Sequence, residues 1–249
     1  MITNSNSGHP GGSLSITDVL VCVFNGMHFD PKNPMLKDRD RLILSKGHAC
    51  PALYALLADY GYFSKDKLKT LRKLNSGLQG HPYKAKLPGI EFSSGSMGQG
   101  LSFAVGVALA LKIDKIKSNV YVIIGDGESN EGQIWEAAMA AGNYKLDNII
   151  AFTDRNFYQA EGKTEEIMKL EPLAQKWEAF NWYVKTIDGH NIDEIMKTLE
   201  EVKKLKGKPK MIIAKTIKGK GVSFLQGNEY RSIALSQEQL KKALEELDS

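Results

Sequence analysis

Short apolar runs alternate along the chain with stretches of helical composition. Two of these runs, at residues 120–124 and 148–153, are rich in β-branched and aromatic side chains, which is typical of buried strands. Residues 133–144, between them, are rich in Ala, Glu and Met and predict a helix. A strand, a helix and a second strand in this order form a parallel unit with a crossover. We therefore expect an α/β fold with a mostly parallel central sheet and helices on both faces.

The same patterns predict the other elements of the fold. Further strands are expected at residues 41–45, 182–187 and 211–214. A helix capped by Ser15 or Thr17 follows a Gly/Pro-rich loop, and Ser64 is expected to cap a charged helix through residue 74. The remaining predicted helices cover residues 51–60, 101–111, 172–180, 192–205 and 237–247. Residues 1–7 are polar and are expected to be irregular, and residues 159–163 should form a loop.

Composition narrows the class of protein. The 249 residues, 42% hydrophobic and 25% charged, suffice for one large domain, which we assign to residues 1–249. The formal charge of +4 is small, and no basic face is interleaved with aromatic residues, so we expect no nucleic-acid binding. Cys22 and Cys50 are too few for a disulfide framework. With no apolar run long enough for a membrane and no signal-peptide pattern, we expect a cytoplasmic protein.

The segment Gly125-Asp126-Gly127 is placed where a strand ends and a helix begins. In open α/β sheets, ligands bind outside the carboxyl ends of the strands. The two glycines permit a tight turn and a close backbone approach, and N–H groups at a helix N-terminus suit a diphosphate. An aspartate does not attract a phosphate by itself. A divalent cation between the two would explain Asp126, because hard cations take carboxylate and phosphate oxygens together.

A second part of the same site follows the next predicted strand. Asp154-Arg155-Asn156 lies at the end of that strand, and Asn156 comes about 29 residues after Gly127, the length of one strand–helix–strand unit. The chain thus returns to the same sheet edge one strand over. Asp126 and Asn156 can therefore reach one ion, and Mg²⁺ is the cation that shares its oxygen shell with phosphates.

At this point the sequence resembles a known family. A G-D-G segment, a crossover of this length and an Asn together resemble the diphosphate–Mg²⁺ signature of thiamine diphosphate enzymes. The motifs S-G-H-P-G-G at residues 7–12, S-K-G-H at 45–48, G-H-P at 80–82 and G-S-M-G-Q-G at 95–100 occur in the order seen in transketolases. The chain resembles the N-terminal, diphosphate-binding half of a transketolase up to about residue 225. The resemblance implies the thiamine-diphosphate-binding fold.

The resemblance also implies which residues hold the cofactor and the metal. Asp126, Asn156 and the backbone carbonyl of Tyr158 would bind Mg²⁺. His48, Gly127 and Asn156 would contact the diphosphate of thiamine diphosphate, because a neutral imidazole N–H can donate to a phosphoryl oxygen.

Two further groups would lie at the reactive end of the cofactor. Gly95, Ser96 and Met97 would meet its aminopyrimidine and thiazolium rings, although most transketolases have proline and leucine at positions 96 and 97. His9 would contact the substrate and assist proton transfer, and His81 would lie near the first carbons of the donor sugar. Each histidine has a plainer alternative as a structural residue of a loop or junction.

The sequence leaves open the roles of several other charged residues. Glu131 and Glu136 are either charges favoured by the helix dipole or, as the resemblance implies, interface acids that link two active sites. His190, in a D-G-H turn, is interpreted as structural. Transketolases of the split kind place a histidine soon after Phe224, but here no histidine follows His190. Arg231 is the candidate for that place, and arginine cannot act as a base at neutral pH.

The implied activity is transfer of a two-carbon ketol unit from a ketose or its phosphate to an aldose or its phosphate, as in the pentose phosphate pathway. The pyrimidine-binding and C-terminal domains of transketolases are absent. We therefore expect the partner to be a C-terminal transketolase subunit, in a dimer of heterodimers. The isolated chain is expected to bind cofactor weakly and to turn nothing over. Two alternatives stay open: a thiamine diphosphate subunit for another donor, such as a 2-oxo acid, and a non-catalytic subunit.

Overall fold

A five-stranded parallel sheet forms the centre of the protein, in a computed structural model that describes residues 1–227 and 234–248. Its strand order is β1-β2-β3-β7-β6, and a separate two-stranded antiparallel hairpin follows β3. The strands are β1 (Arg41–Leu44), β2 (Val120–Gly125), β3 (Ile149–Arg155), β4 (Tyr158–Gln159), β5 (Gly162–Lys163), β6 (Tyr183–Asp188) and β7 (Lys210–Lys215).

Helices connect and cover the strands. The α-helices are α1 (Ile2–Ser5), α2 (Pro10–Leu14), α3 (Thr17–Gly26), α4 (Cys50–Asp59), α5 (Gln99–Ile113), α6 (Gly132–Asn143), α7 (Thr164–Ile167), α8 (Leu173–Ala179), α9 (Ile192–Lys204) and α10 (Gln237–Leu247). Short 3-10 helices occupy Gly47–Ala49, Lys65–Thr70, Lys84–Lys86 and Gly127–Asn130. No helix in the described ranges is long and apolar enough to cross a membrane.

The sheet divides the core into two layers because successive strand side chains point to opposite faces. Tyr121 and Ile123 of β2 pack on one face with α3, α4 and α9, and Val122 and Ile124 pack on the other with α5, α6 and α8. Both β2 and β3 are buried along their whole length. This explains their near-continuous apolar sequence and confirms the predicted mostly parallel sheet with helices on both faces.

The pairing of β2 with β3 sets the geometry of the predicted metal site. Gly125 lies opposite Asp154 in the parallel register. Asp126 and Asn156 therefore leave the sheet at the same edge, one strand apart, as the crossover length predicted.

Four local predictions were wrong. Residues 1–7 contain the short helix α1, and the Gly/Pro-rich loop contains the short helix α2, whereas the helix expected after that loop is present as α3. Neither Ser15 nor Thr17 caps a helix, because the buried Ser15 hydroxyl donates to Asp154 at 2.6 Å and the Thr17 hydroxyl donates to the Ser13 carbonyl. Residues 159–163 belong to the β4–β5 hairpin and not to an irregular loop.

The charged segment after Ser64 forms a 3-10 helix and not an α-helix. Ser64 does cap it by accepting from the Asp66 N–H at 3.2 Å, but the helix ends at Thr70. None of its residues is buried. Without an apolar face to pack, a longer α-helix lacks the tertiary contacts that stabilise most helices in proteins.

Candidate cofactor and active site

A cleft of about 470 Å³ opens at the carboxyl ends of β1, β2 and β3. It brings together most of the residues predicted from the motifs, although they come from six separate segments. Those that line the cleft are His9, His48, His81, Gly95, Met97, Asp126, Gly127, Asn156 and Tyr158. Ser96 is exposed beside the cleft and is the one predicted site residue that does not line it.

Asp126 lies at the floor of the cleft with 2% of its surface exposed. One carboxylate oxygen accepts from the Gly127 N–H at 2.9 Å, and the other accepts from the Phe157 N–H at 2.6 Å. Burial, followed by the neighbouring Asp154 charge, raises the pKa of Asp126 to about 7, although Arg155 acts in the opposite direction. A cation bound here would therefore compete with a proton over the neutral pH range.

Asn156 faces Asp126 across the end of the sheet. Its amide nitrogen donates to Asp154 at 3.1 Å, and its amide oxygen accepts from the Tyr158 N–H at 3.1 Å. Phe157, which lies between Asn156 and Tyr158 in the sequence, has a φ of 67°, a left-handed conformation uncommon for a bulky side chain. The tight turn holds Asn156 and Tyr158 beside the same cleft.

Three histidines approach the cleft from three segments. The rings of His9 and His48 meet edge to face with centroids 5.3 Å apart. Burial, and then the charge of Lys46, lower the pKa of His48 well below its ordinary value, so its imidazole is neutral near pH 7. Burial and then Arg72 also lower the pKa of His81. Neutral imidazoles can donate a proton at one nitrogen and accept at the other.

Buried charges behind the cleft were not predicted. Asp154 is fully buried and accepts from Lys46, Ser15 and Thr216, which come from separate segments. Burial alone would raise the pKa of Asp154, but Lys46 and the hydroxyls outweigh it and hold the pKa below its usual range.

Glu128 is a second missed residue, directly after the G-D-G segment. It is 2% exposed and accepts from the Ser45 hydroxyl, the Gly98 N–H at 2.7 Å and the Gly125 N–H at 2.9 Å. Burial raises the pKa of Glu128 despite these donors. In sequence it resembles an ordinary charge in a first helical turn. Only its hydrogen bonds to Ser45 and Gly98, which are distant in sequence, distinguish Glu128 from such a charge.

Comparison with known proteins assigns the chain to a family. The profile described as "Transketolase, thiamine diphosphate binding domain" matches residues 1–248. The chain belongs to the transketolase family. It is similar to "6-deoxy-6-sulfo-D-fructose transketolase subunit SqwG" of Clostridium sp. (strain MSTE9), with 52% identity over 97% of this chain and 88% of that protein. It is also similar to an apulose-4-phosphate transketolase subunit of Phocaeicola vulgatus, with 43% identity over 91% of this chain and 81% of that protein.

Solved transketolases share the fold of this transketolase chain but are longer. The transketolase of Campylobacter jejuni superposes with a TM-score of 0.94 at 38% identity, covering 99% of this chain and 40% of that one. The Pichia stipitis transketolase in complex with sedoheptulose-7-phosphate gives a TM-score of 0.94 at 34% identity, over 99% and 38% of the two chains. This chain therefore corresponds to about two fifths of those proteins.

The cleft of this transketolase-family chain fits thiamine diphosphate. A Cβ on Gly127 would lie 2.6 Å from Cβ of Gln159, so only glycine leaves room for a close backbone approach. The side-chain oxygen of Gln159 is buried at the cleft and has no hydrogen-bond partner within the described residues. A bound group with a donor, such as metal-held water, would satisfy it. Asp126 and Asn156 offer the oxygen donors that Mg²⁺ prefers.

The other predicted residues that the structure describes, His190, Glu131 and Glu136, do not line the cleft. His190 accepts from the Ile217 N–H at 2.8 Å and pairs with Asp18 at 2.7 Å, which agrees with the structural interpretation. Glu136 is exposed and Glu131 half-buried, and neither alternative for their role is decided. Arg231 lies outside the described residues.

Proposed function

We propose that this chain is the diphosphate-binding subunit of a two-chain transketolase that moves a two-carbon ketol unit from a ketose to an aldose. The main support for the proposal is that two groups of predicted residues line one cleft. Asp126, Gly127 and Asn156 form one group, called the metal pole below. His9, His48 and His81 form the other group, called the imidazole pole, so one ligand would contact both. Family membership supplies the cofactor class.

The metal pole would hold the cofactor in place. Asp126, the Asn156 side-chain oxygen and the Tyr158 carbonyl would hold Mg²⁺, which would supply positive charge for the diphosphate. His48, kept neutral by burial and by Lys46, would donate its N–H to a phosphoryl oxygen. When bound, thiamine diphosphate supplies an electron sink for cleavage of the donor's carbon–carbon bond.

The imidazole pole would act on the donor sugar. His9 and His81 would hydrogen-bond its first hydroxyl groups and hold or move a proton at those oxygens. Because burial lowers the pKa of His81, this imidazole stays neutral and can accept a proton near pH 7.

The substrate proposed is a ketose that carries an anionic group. Two relatives are named for such sugars, one a sulfonated fructose and the other a sugar phosphate. Lys218 lines the same cleft and would be the contact for the anionic group.

The rest of the enzyme would come from a partner. A C-terminal subunit with the pyrimidine-binding domain would complete the site, in a cytoplasmic dimer of heterodimers. Two relatives, of which this chain covers 88% and 81%, are named as transketolase subunits, which supports a second chain.

Calorimetric titration of thiamine diphosphate into the full chain tests the proposal. With Mg²⁺ present we expect binding that is lost without the metal and weakened at least about 10-fold in Asp126→Ala. Glu200→Gln serves as the control because Glu200 of α9 is exposed and does not line the cleft. No metal-dependent binding at millimolar cofactor, with or without the partner subunit, would contradict the proposal.

A non-catalytic cofactor-binding subunit is the second candidate. The observation that favours it is the lack of any histidine after His190. A panel of ketose and 2-oxo acid donors, assayed with the partner present, separates the candidates. Cofactor binding without turnover of any donor would favour the non-catalytic subunit.

A further inference from the structure

A buried arginine lies directly behind the metal pole of the cleft. Arg155 is the last residue of β3, between Asp154 and Asn156, and only 1% of its surface is exposed. Burying a charge of this kind costs free energy unless the surroundings satisfy it. The contacts of Arg155 therefore indicate which parts of the protein this residue stabilises.

The guanidinium group of Arg155 joins two parts of the protein. One nitrogen, Nη1, lies 3.4 Å from the Asp126 carboxylate and donates to the Thr164 hydroxyl at 2.6 Å. The other, Nη2, contacts Glu165 at 2.7 Å and Glu171 at 3.1 Å. The planar fork thus connects the candidate metal ligand to residues 164–171.

Those residues are themselves anchored. The carboxylate of Glu165 also accepts from the Leu170 N–H at 3.2 Å, and that of Glu171 accepts from the Leu173 N–H at 2.9 Å. Arg155 therefore takes its position from a folded segment and not from flexible acidic side chains.

The contact with Asp126 is directional. Oδ2 of Asp126 faces inwards, towards Arg155 and the Phe157 N–H, while Oδ1 lies towards Gly127 at the cleft. The guanidinium also lies 4.2 Å from the centre of the Phe157 ring. Arg155 and Phe157 both hold Oδ2 of Asp126 and also contact each other. These contacts restrict rotation of the Asp126 carboxylate.

We propose that Arg155 is a positioning residue that fixes the orientation of the Asp126 carboxylate and thereby selects Mg²⁺ at the cofactor site. The inference rests on the proposed function. Mg²⁺ requires near-octahedral geometry at short distances, whereas Ca²⁺ accepts variable geometry and more ligands. A fixed carboxylate therefore favours Mg²⁺, and a carboxylate free to rotate loses that preference.

Arg155→Lys tests this role while keeping the charge. A lysine has one ammonium group and cannot contact Asp126, Thr164 and Glu165 with a fixed fork. In calorimetric titrations of thiamine diphosphate into the full chain, we expect cofactor affinity with Mg²⁺ to fall about 10-fold or more. With Ca²⁺ it should fall by less than about threefold, so the ratio of the two affinities changes.

Arg39→Lys is the matched control. Arg39 is also a buried arginine, 9% exposed, and its guanidinium forms two 2.9 Å contacts with Glu91. It does not line the cleft, so its replacement reports a general loss of stability and should leave the Mg²⁺ to Ca²⁺ ratio unchanged.

The outcomes are distinguishable. Equal losses with both metals in Arg155→Lys, or no loss with either, would overturn the positioning role while leaving the proposed function intact. Failure of the unmodified chain to bind cofactor with either metal, with or without its partner subunit, would remove the proposed function and this inference together.

Discussion

Two neighbouring aspartates at the cleft have opposite electrostatic environments. Asp154 is surrounded by Lys46 and two hydroxyls, which outweigh burial and hold its pKa low. For Asp126, the neighbouring positive charges and N–H donors do not outweigh burial, which raises the pKa of this carboxyl to about 7. The carboxylate predicted to bind the metal is therefore the one left with unsatisfied negative charge, which a cation would compensate.

The raised pKa predicts how stability depends on pH in the metal-free chain. Because the folded pKa of Asp126 is about 7 and the unfolded value 3.8, its stabilising contribution is present in acid and is lost as pH rises through about 7. Asp126→Asn cannot titrate and should lose less stability over the same interval. Between about pH 5 and about pH 8, the difference between the two proteins should be at most about 3 kcal/mol.

Urea unfolding of both proteins at about pH 5 and about pH 8, without divalent metal, measures this difference. His48, whose lowered pKa acts in the opposite direction, is common to both proteins and cancels in the comparison. Identical pH dependence of the two free energies of unfolding would show that Asp126 is ionised throughout.

Sequence motifs predicted most of the residues that line the cleft but not the buried charged residues that hold them in place. His9, His48, His81, Asp126 and Asn156 were found because their motifs occur in a recognisable order. The buried charges Glu128, Asp154 and Arg155 were not, because each is satisfied by partners far away in sequence, and a single chain gives no signal for such pairs.

At the scale of elements, close packing of α6 against the turn after α8 limits what the helix can contain. A Cβ added at Gly142 would lie 1.9 Å from the Phe180 carbonyl oxygen. Gly142→Ala is therefore expected to lower the free energy of unfolding by at least about 2 kcal/mol, despite the higher helix propensity of alanine.

Gly106 of α5 provides the matched control for this substitution. It is exposed, and a Cβ there would meet nothing within 4 Å. Gly106→Ala should be neutral or stabilise the protein by up to about 1 kcal/mol. Urea unfolding compares the two variants, and equal effects would mean that the α6 contact is not close in solution.

Predictability differed with the kind of element. Strand β2 and helix α10 were predicted within one residue, because a continuous apolar run and an amphipathic stripe depend only on local sequence. Helix α2 was not predicted, and its end at Leu14 precedes Ser15, which turns inwards to Asp154 in a contact across the molecule.

At the scale of the whole molecule, the cleft occupies one edge of a domain that matches about two fifths of the solved transketolases. We expect the purified chain to show no transketolase turnover by itself and to gain it when the partner subunit is added. A coupled assay of ketol transfer, with the partner alone as control, checks this. Turnover by the isolated chain would contradict partner dependence.

The register between β2 and β3 has a consequence for how the chain tolerates changes in length. Gly125 is fixed opposite Asp154 by the sheet, and the exposed residues 144 and 145 connect the end of α6 to the buried Leu146 ahead of β3. An insertion in that connection would leave both strand ends where they are. One inside either strand would turn every following side chain to the opposite face and separate Asp126 from Asn156. Insertions and deletions among descendants of this sequence should therefore accumulate in the crossover and be absent from the strands.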